Sequence, residues 1–200
     1  MNKIVLISGK QGSGKTTIQK ELFKRINESK RERAFIINFA DPLYKMHDYC
    51  LGVLEDLGIK REIVKDGPLL QLLGTEWGRK TINENIWVNA LHGQIKSIID
   101  RQGRGLQCVF IVGDCRFENE FDGLPLALRV RLRCPEIVRK SRCSMWRENT
   151  NHPSEVGLDF YDEAEKFDMY FDTEKETVNH CATMVMAQLD KATWLEKRKI

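Results

Sequence analysis

Residues 3–22, KIVLISGKQGSGKTTIQKEL, join an apolar, β-branched run to a helix-like run through a turn holding three glycines. Gly9-x-x-x-x-Gly14-Lys15-Thr16 fits G-x-x-x-x-G-K-[ST] at every position, with a strand before it and a helix after it. Glycines let consecutive backbone N–H groups close around phosphate oxygens, and the helix beginning near Lys15 aims its unpaired N–H groups at the same anion. Lys15 adds a cation for the β- and γ-phosphates, and the Thr16 hydroxyl can join a Mg²⁺ shell. The expected occupant is a nucleoside triphosphate, held by Gln11, Gly12, Ser13, Gly14, Lys15, Thr16 and Thr17.

The same turn restricts the fold, because it needs a strand feeding a helix. Strands are expected at 3–8, 34–39, 108–112, 128–132 and 168–171, with helical patterns between them. Ile18, Leu22 and Ile26 fall on one helix face, and so do Trp87, Leu91, Ile95 and Ile98. Asp41-Pro42 reads as the N-cap and first turn of a helix reaching Gly58, and 68–82 as a further α-helix. Val178, Ala182, Val185 and Leu189 mark a last amphipathic helix. Alternating strands and helices predict an α/β fold: a mainly parallel five-stranded sheet, helices on both faces, and a small lid near 134–158. With no repeat or linker visible, residues 1–200 read as a single domain.

Composition narrows the function classes. A net charge of +3 over 200 residues is too mild to argue for nucleic acid. The longest apolar runs, such as Val109 to Val112, are far too short to span a bilayer. Met1-Asn2-Lys3 leads directly into a strand, so no secretory leader is expected. The six cysteines show no metal-like spacing, and Cys108 and Cys181 sit in apolar stretches as buried thiols. These features predict a cytoplasmic protein with no membrane and no nucleic-acid partner.

Three segments bear on chemistry. FADPLYKMHDY, 39–49, places Asp41, Tyr44, Lys45 and His47 beyond the second strand, with His47 read as a surface residue. IVGDCRFENE, 111–120, puts Asp114 at a strand end as a Mg²⁺ ligand beside Thr16, with Arg116 placed for a phosphate. The stretch 129–147 carries seven basic residues against Glu136 alone. Arg129, Arg131 and Arg133 alternate along a strand and should face solvent. Arg139, Arg142 and Arg147 are the lid candidates, able to neutralise a transferring phosphoryl group. In 68–82, Leu69, Leu70, Leu72 and Leu73 offer a core stripe, opposite Gln71, Thr75 and Arg79. Trp77 and Trp87 are large enough to stack on a base. The chain has no N-K-x-D guanine-reading motif, which argues against a GTPase.

With the phosphate loop, FADPLYKM, LLQLLGTEWGRK at 69–80, IWV at 86–88, DCRFENE at 114–120 and HPSE at 152–155, the chain resembles the deoxynucleoside monophosphate kinases of tailed bacteriophages. That resemblance implies MgATP as phosphoryl donor, a (deoxy)nucleoside monophosphate as acceptor, and a host-cytoplasmic setting if the chain is phage-encoded. It leaves a homodimer open. It implies an acceptor site formed by Asp41, Lys45 or Tyr44, Gln71, Gly74, Thr75, Trp87, Arg116, Phe117 and Glu120. Pro68 stands where some members carry arginine, so Arg79 is expected to take that phosphate contact. Lys15, Asp114, Arg116, Arg139 and Arg142 form the expected catalytic set. Two rivals stay open: a kinase acting on a small-metabolite hydroxyl, which needs a carboxylate base at 41 or 114, and a nucleotide-gated nucleic-acid binder.

Overall fold

A computed structural model describes residues 2–29, 31–59, 65–102, 106–144, 146 and 153–191. Five strands form one sheet: β1 (Lys3–Gly9), β2 (Arg33–Ile37), β3 (Cys108–Cys115), β4 (Leu128–Arg133) and β5 (Met169–Asp172). Their order is β2-β3-β1-β4-β5, and all four pairings are parallel. The register between β1 and β3 shifts after Leu6, so Ser8 lies opposite Cys115.

Side-chain alternation divides the core into two layers. Val5, Ile7, Val109, Ile111, Val130 and Leu132 meet α1 (Lys15–Ser29) and α9 (Val178–Asp190) through Ile18, Leu22, Ala182 and Val185. Leu6, Phe110 and Val112 face the other way, toward α4 (Ile86–Gln102), α5 (Glu118–Asp122) and α8 (Asp159–Glu163). Helices on both faces explain the unbroken apolar run of β3. Cys108 and Cys181 are buried free thiols, as expected.

Two helices depart from the expected pattern. α2 (Asp41–Asp56) has Ala40 at its N-cap, with no side-chain cap, and Pro42 in its first turn. Asp41 turns back instead to accept from the Asn38 N–H at 2.8 Å. The second departure lies in 68–82, where a short α3 (Gly67–Gln71) passes into a π-helix, Leu72–Ile82. The N–H of Asn83 reaches back five residues to the Gly78 carbonyl at 3.0 Å. Leu72 is left exposed while Leu69, Leu70 and Leu73 are half-buried, and Gly74 and Gly78 are buried. A Cβ on Gly78 would stand 2.7 Å from the Trp87 ring, and one on Gly74 would stand 3.0 Å from Leu43. Small residues therefore seat this helix against α2 and α4.

His47 is buried rather than superficial, at 2 % exposure. Its Nε2 accepts from the Asp66 N–H at 3.0 Å, which leaves Nδ1 to donate to Asp48 at 2.8 Å. The Asp66 carboxylate in turn caps α3 through the Leu69 N–H. Among the described residues no helix is long and apolar enough to cross a membrane.

Candidate active site

The phosphate loop lies between β1 and α1 at the C-terminal edge of the sheet. Gly12 and Gly14 have φ of 76° and 91°, a region that favours glycine. A Cβ at Gly12 would also meet the Arg139 carbonyl at 2.7 Å, so α6 (Glu136–Arg142) rests directly on the loop. Lys15 folds back and donates to the carbonyls of Gly9 and Lys10. Burial, and then the nearby Arg116 guanidinium, lower its pKa to about 7. The Ser13 hydroxyl is buried and has no hydrogen-bond partner among the described residues. Thr16 and Thr17 are exposed, which leaves the Thr16 hydroxyl available.

The lid candidates behave differently from expectation. Arg139 is buried, donating from Nη1 to the Gln11 carbonyl at 3.0 Å and from Nε to the Cys134 carbonyl at 3.1 Å. It props the loop from beside it instead of reaching over it. Arg142 is exposed and donates to the Thr173 carbonyl at 2.9 Å, at the end of β5. Arg147 and His152 lie outside the described residues, as do parts of the 134–158 segment.

Arg131 corrects the expectation of a solvent-facing strand. It is 4 % exposed and donates to Ser8 Oγ at 2.9 Å and to Asp162 at 2.8 Å, with Asp159 at 3.3 Å. Position 131 has no solvent side because α8 covers it, with Asp159 and Asp162 meeting the guanidinium. Arg129 lies over the Phe121 ring, at 3.8 Å from its centroid. Arg133 is the exposed member and pairs with Asp162.

Asp114 stands at the end of β3, where its two oxygens accept the N–H groups of Phe39 (3.0 Å) and Ala40 (2.9 Å). Burial pushes its pKa up to about 6, against the pull of those two N–H groups. Asp41 adds a like charge close by. Its own oxygens accept from the Asn38 N–H and from Asn38 Nδ2, the latter at 3.2 Å. Mg²⁺ fits this donor set in a limited sense. Each Asp114 oxygen keeps one lone pair, and the described residues hold no cluster of three or more His, Cys, Asp or Glu. One carboxylate and one hydroxyl suit an ion that arrives with a nucleotide, with phosphates completing its shell.

Arg116 is committed to the C-terminal part of the expected lid segment. Its Nη1 donates to Glu155 at 2.7 Å and to Ser154 Oγ at 3.1 Å. Glu155 Oε2 accepts the Gln11 N–H of the phosphate loop at 2.8 Å. Lys10 pairs with Asp159 at 2.8 Å. The short helices α7 (Pro153–Val156) and α8 thus bring an acidic stretch onto the loop. Nothing local in HPSE signals this role of Glu155, because the pairing spans 144 residues.

The expected acceptor set is only partly gathered. Glu120 is buried at 3 % exposure and accepts from Arg79 at 2.6 Å and from the Arg116 N–H at 2.8 Å. Burial raises its pKa to about 7 despite these donors, and Asp114 adds to the rise. Arg79 also lies over the Phe117 ring, 4.3 Å from its centroid. Thr75 is half-buried and Gln71 exposed on the π-helix side. Tyr44 is exposed, its hydroxyl accepting from Lys65 at 2.6 Å, and Lys45 is exposed beside it. Gly74 is a packing residue whose carbonyl accepts the Trp87 indole N–H at 2.9 Å. Trp87 is core, at 5 % exposure, so its ring has no open face for a base. Trp77 is the exposed indole of this segment.

No protein-family model and no curated protein match this sequence. Solved structures match the fold. TT1252 from Thermus thermophilus aligns with a TM-score of 0.57 at 17 % identity, over 94 % of this chain and 98 % of that one. A shikimate kinase from Acinetobacter baumannii, in complex with shikimate, aligns at 0.51 and 13 % identity, over 94 % and 93 %. The APS kinase CysC of Mycobacterium tuberculosis, in complex with AMPPNP and APS, aligns at 0.51 and 12 % identity, over 95 % and 98 %. Likeness at these identities speaks to architecture alone. The chain carries the α/β fold of the P-loop kinases, a parallel five-stranded sheet flanked by helices.

Proposed function

We propose that the chain is an ATP-dependent phosphotransferase that passes the γ-phosphoryl group of MgATP to a small acceptor at the C-terminal edge of the sheet. One observation carries this reading. Arg116, just beyond β3, is joined to Glu155 at 2.7 Å, and Glu155 accepts the Gln11 N–H of the phosphate loop at 2.8 Å, so groups from distant parts of the chain meet at the loop. Donor loop and acceptor-side charges therefore share one electrostatic neighbourhood.

The acceptor reading that uses most of these groups is a (deoxy)nucleoside monophosphate, giving ADP and the corresponding diphosphate. Its phosphate is already largely ionised at neutral pH, with a second pKa of about 6, so no general base is needed. Arg116 and Arg79 would hold that phosphate, Thr75 and Phe117 would line the site, and Asp41 would orient the bound molecule. Lys15 would leave the Gly9 and Lys10 carbonyls for the β- and γ-phosphates. Thr16 and Asp114 would hold Mg²⁺, which supplies charge neutralisation across those phosphates.

A second reading has its own support. Asp41 and Asp114 put two carboxylates near the loop, one of them with its pKa raised to about 6. A carboxylate poised near neutral pH is what an alcohol acceptor needs as base. The similar structures named as shikimate kinase and APS kinase lie on this side, toward a small-metabolite hydroxyl. Both arginines proposed for a monophosphate already have carboxylate partners, which also favours it.

The deciding experiment is ADP release from MgATP across ribo- and deoxyribonucleoside monophosphates, with small hydroxyl metabolites and a nucleoside in parallel. Release driven by monophosphates upholds the first reading. Release driven only by hydroxyl acceptors, with kcat/KM falling through a carboxylate pKa at low pH, upholds the second. No acceptor-dependent release removes the phosphotransferase reading.

A further inference from the structure

The hydrogen bonds around Asn38 form a chain between the phosphate-loop helix and the carboxylate of Asp41. Asn38 Oδ1 accepts from Gln19 Nε2 at 3.1 Å and from the Gly113 N–H at 3.2 Å. Its Nδ2 donates to Asp41 Oδ1 at 3.2 Å, while its own N–H donates to Asp41 Oδ2 at 2.8 Å. The amide orientation is dictated by its neighbours. Gly113 N–H can only donate and an ionised carboxylate can only accept, so a flipped amide would lose both contacts.

Gln19 is buried on α1, and its Nε2 also donates to the Ile111 carbonyl at 3.3 Å. The space it fills is reserved by Gly113, where a Cβ would fall 2.1 Å from Gln19 Cδ. On the far side, Asp114 holds the N–H groups of Phe39 and Ala40. Residues 38–41 are thus tied at every step: Asn38 to α1 and β3, Phe39 and Ala40 to Asp114, and Asp41 to Asn38.

We infer that Asn38, oriented by Gln19, is a positioning residue that fixes the Asp41 carboxylate relative to the phosphate loop. The inference rests on the phosphotransferase reading and extends it, since neither Asn38 nor Gln19 belongs to the phosphate-loop motif. Gln19 sits one turn beyond Lys15, so the helix that begins at the donor cradle also sets the acceptor-side carboxylate. The expected beneficiary is kcat, because ATP itself is held by the loop amides.

Asn38→Asp tests this with little change of shape. The new carboxylate still accepts from Gln19 and Gly113, but it replaces the donor facing Asp41 with an oxygen. The expected result is a kcat lowered by about 10²-fold, with ATP affinity within about twofold of the parent. Gln19→Met removes the donor that orients Asn38 while leaving Asn38 and Asp41 in place, and decides the matter even if Asn38→Asp alone folds poorly. It is expected to lower kcat while ATP affinity stays within about twofold of the parent. Wild-type kcat in Asn38→Asp or in Gln19→Met overturns the positioning role and leaves a structural hydrogen bond. A wild-type chain inactive toward every acceptor overturns the phosphotransferase reading and the role of Asn38 together.

Discussion

The phosphate-loop side of this molecule and the side proposed to take the acceptor are built by different means. The cradle at residues 9–17 is made of consecutive residues, and the groups proposed to work there are main-chain amides, one lysine and one hydroxyl. The opposite side is made of charges paired across the chain: Arg79 with Glu120, Arg116 with Glu155, and Asp114 with the amides of residues 39 and 40. A local cradle can lose a side chain and still fold. A side built on partly buried pairs stakes its stability on the same residues that are proposed for its chemistry.

The largest expected effect tests the first half of that contrast. Lys15→Ala should lower turnover by about 10²–10³-fold or more, as for other preorganised cations, with Tm nearly unchanged, because Lys15 donates only to two loop carbonyls. A marked fall in Tm would break the comparison. Lys15 also predicts proton linkage. Its pKa is lowered to about 7, and a bound polyphosphate should raise it again. Binding then takes up a proton, and ATP affinity should fall as pH rises above about 7. Calorimetry in buffers of different ionisation enthalpy reads this directly.

Arg79→Ala tests the other half. It leaves buried Glu120 with only the main-chain N–H groups of Arg116 and Phe117 as donors and should cost about 1–3 kcal/mol of folding stability, measured by urea denaturation. The pH dependence has a definite sign. The Glu120 pKa stands at about 7 folded against an ordinary 4.5, so the folded chain holds this proton more tightly. Its contribution to stability is full below about 4.5 and is lost as pH rises through about 7. Glu120→Gln should flatten that slope, and an unchanged slope would assign it to another group.

Smaller effects sharpen the picture. Gly78→Ala brings a methyl within 2.7 Å of Trp87 and the Leu73 carbonyl. It should cost about 1–3 kcal/mol and disturb the acceptor side while leaving ATP binding intact. Lys80→Ala removes only an exposed pair with Glu76 and should cost no more than ~0.5 kcal/mol in thermal denaturation.

The same contrast governs what the sequence made readable. The cradle, all five strands and the last helix were visible because each is encoded by neighbouring residues or a single period. The π-helix was read as α because a 3.6-residue period was assumed, which put Leu72 inside and missed the buried pair Gly74 and Gly78. Arg131 was assigned to solvent because alternation identifies opposite faces but not whether both are covered. His47 was misplaced for a related reason: burial of a polar helix residue depends on a partner from another segment, here Asp66. Asn38 gave no signal, since its importance lies in three partners spread from residue 19 to residue 113.

The Gln11 N–H has a single hydrogen to give, and Glu155 holds it. A phosphate oxygen seated at that point of the turn must therefore evict the glutamate, which also carries Arg116. Filling the cradle and rearranging the 153–162 stretch would then be one event, so that the arrival of the first guest reshapes the wall that greets the second.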